Sequence, residues 1–174
     1  MRIYDGSPRQ DWEGVLRGIG AFADRERLKE ILFLELDEGF VLQGLTMQAA
    51  ASDSDNLGTL VKRTYELTED QVGELMDASD SKRGTASVDR AQPDLLNYYE
   101  QSLRILGAYI DGQKAHDVFF LEQEGSYVLR LFGVAGERGG GHQLSEFTRD
   151  EMFAMIEAAP DQRRQPAPET TGAK

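Results

Sequence analysis

The sequence predicts an α+β protein made by internal duplication. A helix–three-strand antiparallel sheet–helix (αβββα) unit occurs twice, and the two copies form a pseudo-twofold pair. Three observations predict this. The chain matches itself when shifted by 87 positions. Each copy passes from helical to strand periodicity and back at corresponding places. Two threonine-led capping boxes open the closing helices at equivalent positions.

The self-match runs without a gap from Leu16–Leu42 onto Leu103–Leu129, with ten of 27 positions identical. Average residue usage would give about two. The identities include Arg17/Arg104, Gly20/Gly107, Asp24/Asp111, Phe33/Phe120 and Glu35/Glu122. A second block matches at a shift of 80, where Glu66-Leu67-Thr68 meets Glu146-Phe147-Thr148. The change of shift places a length difference in the loop before the third strand. Repeats of this kind decide the fold and are read first.

In the first copy, Ser7, Pro8 and Gln10 form a helix-start signature. Trp12, Val15, Leu16, Ile19 and Ala23 then follow helical spacing. Strands are expected at Ile31–Leu36 and Phe40–Met47 around a tight turn at Glu38-Gly39. A loop at Ala51–Asn56 precedes a third strand at Thr59–Leu67. The closing helix starts at a Thr68 cap with Gln71 three residues on, and Val72, Leu75 and Met76 form its apolar face.

In the second copy, Asp94 caps a helix with an apolar face of Leu96, Tyr99, Leu103, Leu106 and Ile110, and Gly112 stops it. Strands at Val118–Gln123 and Tyr127–Val134 flank a turn at Glu124-Gly125. A loop at Gly136–Gly141 leads to a strand at Gln143–Phe147. Thr148 and Glu151 cap the last helix, which carries Met152, Met155 and Ile156. The organisation is thus a first repeat at 1–79, a polar linker at 80–92, a second repeat at 93–159 and a disordered tail at 160–174.

Alternation along the strands is weak. Leu32, Leu34 and Leu36 share one face of the first strand, and Ile31, Phe33 and Glu35 the other. Sheets covered on one side only alternate more cleanly. Both faces are therefore expected to be covered, the second by the other copy, a second chain or a partner. Copy against copy within one chain is the favoured arrangement.

Bulk properties exclude several function classes. The formal net charge is −12, from 31 acidic and 19 basic residues. Such a surface repels nucleic acid and anionic membrane. No cysteine is present, so disulfides, thiolate metal sites and cysteine nucleophiles are ruled out. Met1–Gln10 carries no apolar signal region, and the longest apolar runs are too short to span a bilayer. The expectation is a soluble cytoplasmic protein without a membrane role.

Candidate chemistry is sparse. Glu35 and Glu122 each end an apolar strand. They read either as a carboxylate pair meeting across the pseudo-twofold, for metal binding or acid–base work, or as sheet-edge residues in water or paired with arginine. Asp24 and Asp111 sit at helix C-termini, where an acid opposes the helix dipole. They read as ligand-binding acids or as turn acids bonding local backbone. Arg17 and Arg104 share those helices and are candidates for ion pairs that fix the register between copies.

His116 and His142 lack metal-ligand spacing. Gly139-Gly140-Gly141 lacks the lysine and following helix of a phosphate loop. Gly18 and Gly20 lie inside a helix, and the Gly20/Gly107 equivalence points to close packing at a helix crossing. Lys82, Arg83 and Arg90 are too sparse for a nucleic-acid site.

No catalytic residue, cofactor or metal is predicted. The favoured function is non-enzymatic: a soluble, acidic binding or adaptor protein acting through protein–protein contacts, as a monomer or homodimer. The alternative is a small-molecule or metal site at the cleft between repeats, with Glu35, Glu122, Asp24 and Asp111 as ligands. A third reading is double-stranded RNA binding, suggested by the order helix–three strands–helix. The acidic second helices, Glu69-Asp70-Gln71 and Arg149-Asp150-Glu151, argue against it.

Overall fold

Helix α1 (Trp12–Arg25) starts where the Asp11 side chain accepts the Gly14 N–H at 2.7 Å. The N-cap is therefore Asp11; Ser7, Pro8 and Gln10 lie outside the described residues. The computed structural model describes residues 11–48, 58–81, 98–115, 117–132 and 141–159.

The end of α1 was not legible as a helix stop, because Arg27 rather than glycine takes the left-handed conformation there (φ 55°). The Arg27 and Leu28 N–H groups donate to the carbonyls of Asp24 and Ala23. That is a Schellman closure, sealed by burial of both Leu28 and Ala23. Lys114 repeats the left-handed turn after α3 (Tyr98–Gln113), so α3 runs one residue past the expected Gly112 stop. The expected Asp94 cap lies outside the described residues.

Strands β1 (Lys29–Leu36), β2 (Gly39–Gln48) and β3 (Thr59–Leu67) form the first meander. Leu36 pairs with Gly39, so the connecting turn is Asp37-Glu38, one residue earlier than expected. Gly39 has φ +142°, and an added Cβ there would fall on the Leu67 carbonyl oxygen. The glycine serves close strand approach rather than the turn itself. In the second meander, β4 (Asp117–Gln123), β5 (Ser126–Phe132) and β6 (His142–Phe147), the turn is Glu124-Gly125 as expected. Both its residues have positive φ, the requirement of a type I′ hairpin.

Helices α2 (Glu69–Ser81) and α4 (Arg149–Ala158) follow the third strands. Both expected capping boxes form. Thr68 and Gln71 exchange side-chain-to-backbone bonds at 2.9 and 3.3 Å, and Thr148 and Glu151 do so at 2.7 and 3.3 Å. Helix α2 extends to Ser81, into the first positions of the expected linker. The loops at Ala51–Asn56 and Gly136–Gly140, the rest of 82–92, Val134 and the tail at 160–174 lie outside the described residues.

Among the described residues the fold is α+β, with four helices and one six-stranded antiparallel sheet ordered β3-β2-β1-β4-β5-β6. The two first strands meet at its centre, where Leu32, Phe33 and Leu34 pair with Leu121, Phe120 and Phe119. Phe33 and Phe120 stack across this seam at 4.9 Å with rings 13° from parallel. Trp12 adds edge-on contacts to Phe33 and Phe40 at 6.4 and 6.1 Å. One core therefore spans both halves of the chain.

Helices α1 and α3 cross above the seam. An added Cβ on Gly20 would fall on the Tyr99 carbonyl, and one on Gly107 on the Trp12 carbonyl. The sequence reading of these glycines as a crossing point holds. Helix α2 packs against α1 through Gly18, whose added Cβ would lie 3.0 Å from the Met76 nitrogen.

The arrangement of faces differs from expectation. The helices pack over the face bearing Ile31, Phe33, Phe40, Leu42, Phe120 and Leu129, all buried. The two halves join edge to edge, so neither covers the second face of the other. On that face Leu34 is 37%, Leu36 49%, Met47 57%, Leu60 56%, Leu121 38% and Leu144 59% exposed. The weak alternation in the sequence arose because both faces carry apolar residues, although the described helices shield only one.

The crossing gives a stability prediction. Gly20→Ala or Gly107→Ala must push α1 and α3 apart and strain the seam, costing about 2 kcal/mol or more. Urea unfolding followed by the single tryptophan, Trp12, reads this directly. Gly73→Ala, whose added Cβ meets nothing within 4 Å, is the control and should stabilise slightly.

Candidate functional site

The four carboxylates singled out from sequence all lie on the seam between the halves, in two reciprocal pairs. Asp24, near the end of α1, accepts the N–H groups of Tyr99 and Glu100 at 3.1 and 2.9 Å, at the start of α3. Asp111, near the end of α3, accepts those of Trp12 and Glu13 at 2.9 and 3.1 Å, at the start of α1. Each acid opposes the dipole of its own helix but sits at the positive end of the other. It also satisfies donors that the first turn of that helix leaves unpaired.

The two glutamates repeat the exchange in the sheet. The Ile31 N–H donates to Glu122 at 3.2 Å, and the Val118 N–H to Glu35 at 3.1 Å. Neither glutamate is at a sheet edge, because β1 and β4 are the central strands. Glu122 is buried and accepts two further bonds, from the Tyr99 hydroxyl at 2.8 Å and the Gly125 N–H at 2.6 Å. Tyr99 thus ties the helix seam to the sheet seam, through its backbone to Asp24 and its hydroxyl to Glu122. The corresponding residue in the first half is Trp12, which packs on Phe33 and Phe40 and offers Glu35 no hydroxyl. Glu35 is only half-buried.

The two arginines share one acid, Glu13. Arg17 reaches Glu13 at 3.1 Å within α1, and Arg104 reaches Glu13 at 3.4 Å across the crossing. Arg104, itself buried, also donates to the Gln101 side chain at 3.1 Å and to the Ala159 carbonyl at 2.5 Å. It therefore fastens α1, α3 and the end of α4 together. Glu13 and Asp11 were not singled out from sequence, and Tyr99 was read only as an apolar-face residue; Trp12/Tyr99 and Glu13/Glu100 fall on the same shift of 87, just outside the matched block.

Burial pushes the Asp24 carboxyl up from 3.8 to about 6, against the two backbone N–H groups that lower it; the nearby Glu100 charge adds to the rise. Burial raises Asp111 as well, and its two N–H donors again oppose the rise. Among the described residues, no group of three or more histidine, aspartate or glutamate side chains is arranged to hold a metal ion. His142 is exposed at the start of β6, and His116 lies outside the described residues. No helix of the described residues is long and apolar enough to cross a membrane.

No protein-family model, curated protein or solved structure matches the chain. Away from the seam, an extended feature of the described residues is the sheet face that no described helix covers. Cross-strand register puts Leu34, Leu36, Met47, Leu60, Leu121 and Leu144 all on it, across β1, β2, β3, β4 and β6. An apolar face on this scale marks a contact surface more often than a solvated one.

Two predictions follow from the seam chemistry. Glu122→Ala leaves three donors without their acceptor and should cost about 3 kcal/mol, well above Glu35→Ala. Urea midpoints check this, and equal small losses would count against the seam role. The raised Asp24 carboxyl makes stability depend on pH. The folded state holds this proton more tightly than the unfolded one, so its contribution is full below 3.8 and is lost as pH rises through about 6. The stability of the wild type relative to Asp24→Asn should therefore fall across that window, by up to about 3 kcal/mol, and level off above it. Urea titrations of both proteins from pH 4 to 7 measure the difference.

Proposed function

We propose that the protein is a non-enzymatic binding module acting through protein–protein contacts, with the helix-free face of the sheet as its contact surface. The observation that carries this reading is the set of six large hydrophobic side chains, 37–59% exposed, that share this one face. Water-facing leucines scattered singly are ordinary; six on one sheet face, in a chain of net charge −12, are not. The acidic charge keeps the free protein soluble while this surface stays available.

The four seam carboxylates serve in this reading to hold the halves in register, rather than to bind a small molecule or metal. Each already receives backbone donors from the opposite half. The glycine contact leaves no space between α1 and α3 at their crossing. Double-stranded RNA binding is disfavoured by α2, which carries no basic residue.

The reading also takes the chain as a tandem duplication, with halves at 1–79 and 93–159. Supporting this, a shift of 87 maps each seam acid and its donors onto the other half: Asp24 with Tyr99 and Glu100 onto Asp111 with Trp12 and Glu13, and Glu35 with Val118 onto Glu122 with Ile31.

A photo-crosslinking residue at Leu36 or Leu144, in protein produced in its own cell, should give discrete protein crosslinks. The same residue at Glu74, exposed on α2, should give few. Equal yields at all three positions, or none on the sheet face, would overturn the reading.

A further inference from the structure

We infer that the helix-free sheet face docks on the same face of a second copy, giving a symmetric homodimer in which two sheets form a sandwich with the helices outermost. This rests on the reading of that face as a contact surface and names its occupant.

Charge is the first argument. The chain as a whole carries 31 acidic and 19 basic residues. The cross-strand register places Lys29, Lys62 and Arg130 on the open face with Glu66, Asp117 and Glu146. Three bases against three acids make the described strand positions of this face neutral within an otherwise acidic molecule. A basic partner would find no excess of acid on it, and an acidic partner no excess of base. A second copy meets mixed signs of the kind it presents itself, while the surplus acids stay on the outer, helical sides. Like-charge contact, which would otherwise bar self-association of such a chain, is avoided.

Area and shape are the second argument. Six strands at about 4.8 Å spacing make a face about 24 Å wide, and strands of this length span about 25 Å. The projected area is roughly 600 Å², and side-chain relief raises the accessible area towards the roughly 800 Å² per partner of a stable complex. A twisted antiparallel sheet with an apolar face finds its natural complement in another such sheet, packed about 10 Å away with strands about 30° apart. The most exposed residues, Leu144, Met47 and Leu60, belong to β6, β2 and β3. The apolar surface thus reaches to both outer strands, as a full-face contact needs, rather than forming one narrow groove for a peptide.

Light scattering on the full chain at about 10 µM tests this. The expected mass is twice the 19.4 kDa of the chain. The double variant Leu34→Lys/Leu121→Lys, at the centre of the face, should weaken dimerisation at least about 100-fold, and Glu74→Lys on α2 should leave it unchanged. Far-UV circular dichroism and Trp12 fluorescence confirm that the variants fold. A measurement on the wild type alone needs no variant. Added salt screens the repulsion between two chains of net charge −12 and should tighten the dimer, whereas a charge-driven contact would loosen. A dimer that survives Leu34→Lys/Leu121→Lys, or that loosens with salt, overturns the inference. So does a wild-type monomer. If that monomer still crosslinks through Leu36 and Leu144 to a different protein, the contact-surface reading stands and only self-docking falls. If it crosslinks to nothing, both fall.

Discussion

The crossing of α1 and α3 is the contact on which the rest of the molecule depends. Gly20 and Gly107 let the two backbones touch. Only at that separation does Asp24 reach the first turn of α3 and Asp111 the first turn of α1. The helices, so placed, bring β1 and β4 side by side, and the Phe33–Phe120 stack closes beneath them. A side chain of any size at either glycine would break this chain of contacts at its first link. The two halves consequently fold around one core rather than two. Small units have too little interior to stand alone comfortably, and joining them edge to edge adds core without adding chain.

The seam is unusual in using carboxylates where apolar packing would serve. Burying an acid disfavours its charge, and the rise of Asp24 to about 6 is the signature of that cost. The return is directional. Each aspartate accepts two backbone donors that a leucine could not satisfy, and each sits at the positive end of the neighbouring helix. Glu35 and Glu122 do the same for the N–H groups of Val118 and Ile31, near the starts of β4 and β1. Apolar packing is tolerant of sliding; these bonds are not, so they set the register of one half on the other. Their reciprocity is incomplete, because Tyr99 reaches Glu122 while Trp12, 87 positions earlier, is committed to the aromatic core.

Placing all four described helices on one side has a consequence for the other. The sheet is long enough, and apolar enough on both faces, to be the middle layer of a three-layer structure, yet the chain supplies described elements for two. Antiparallel sheets with one wet face normally carry polar side chains there. Here leucine and methionine take six of those positions, among charged side chains of both signs. Apolar side chains of this size in water leave a physical demand for a cover on that face.

The sequence by itself determined the element types and order, both closing capping boxes, the glycine contact and which acids occupy equivalent positions in the self-match, but not the backbone donors those acids accept. These are local or periodic properties, carried by spacing within about a dozen residues or by the self-match. The ends of α1 and α3 were less legible, because Arg27 and Lys114 adopt a backbone usually given to glycine and leave no compositional mark. Only the tertiary structure decided how the halves meet. Edge-to-edge joining and face-to-face packing ask for the same apolar residues on the same strands, so no pattern in one strand distinguishes them. The choice was made by which backbone donors lie within reach of Asp24, Asp111, Glu35 and Glu122, and those donors stand 75 to 99 residues away along the chain. The same choice left one sheet face open, which no periodicity could have told from a covered one.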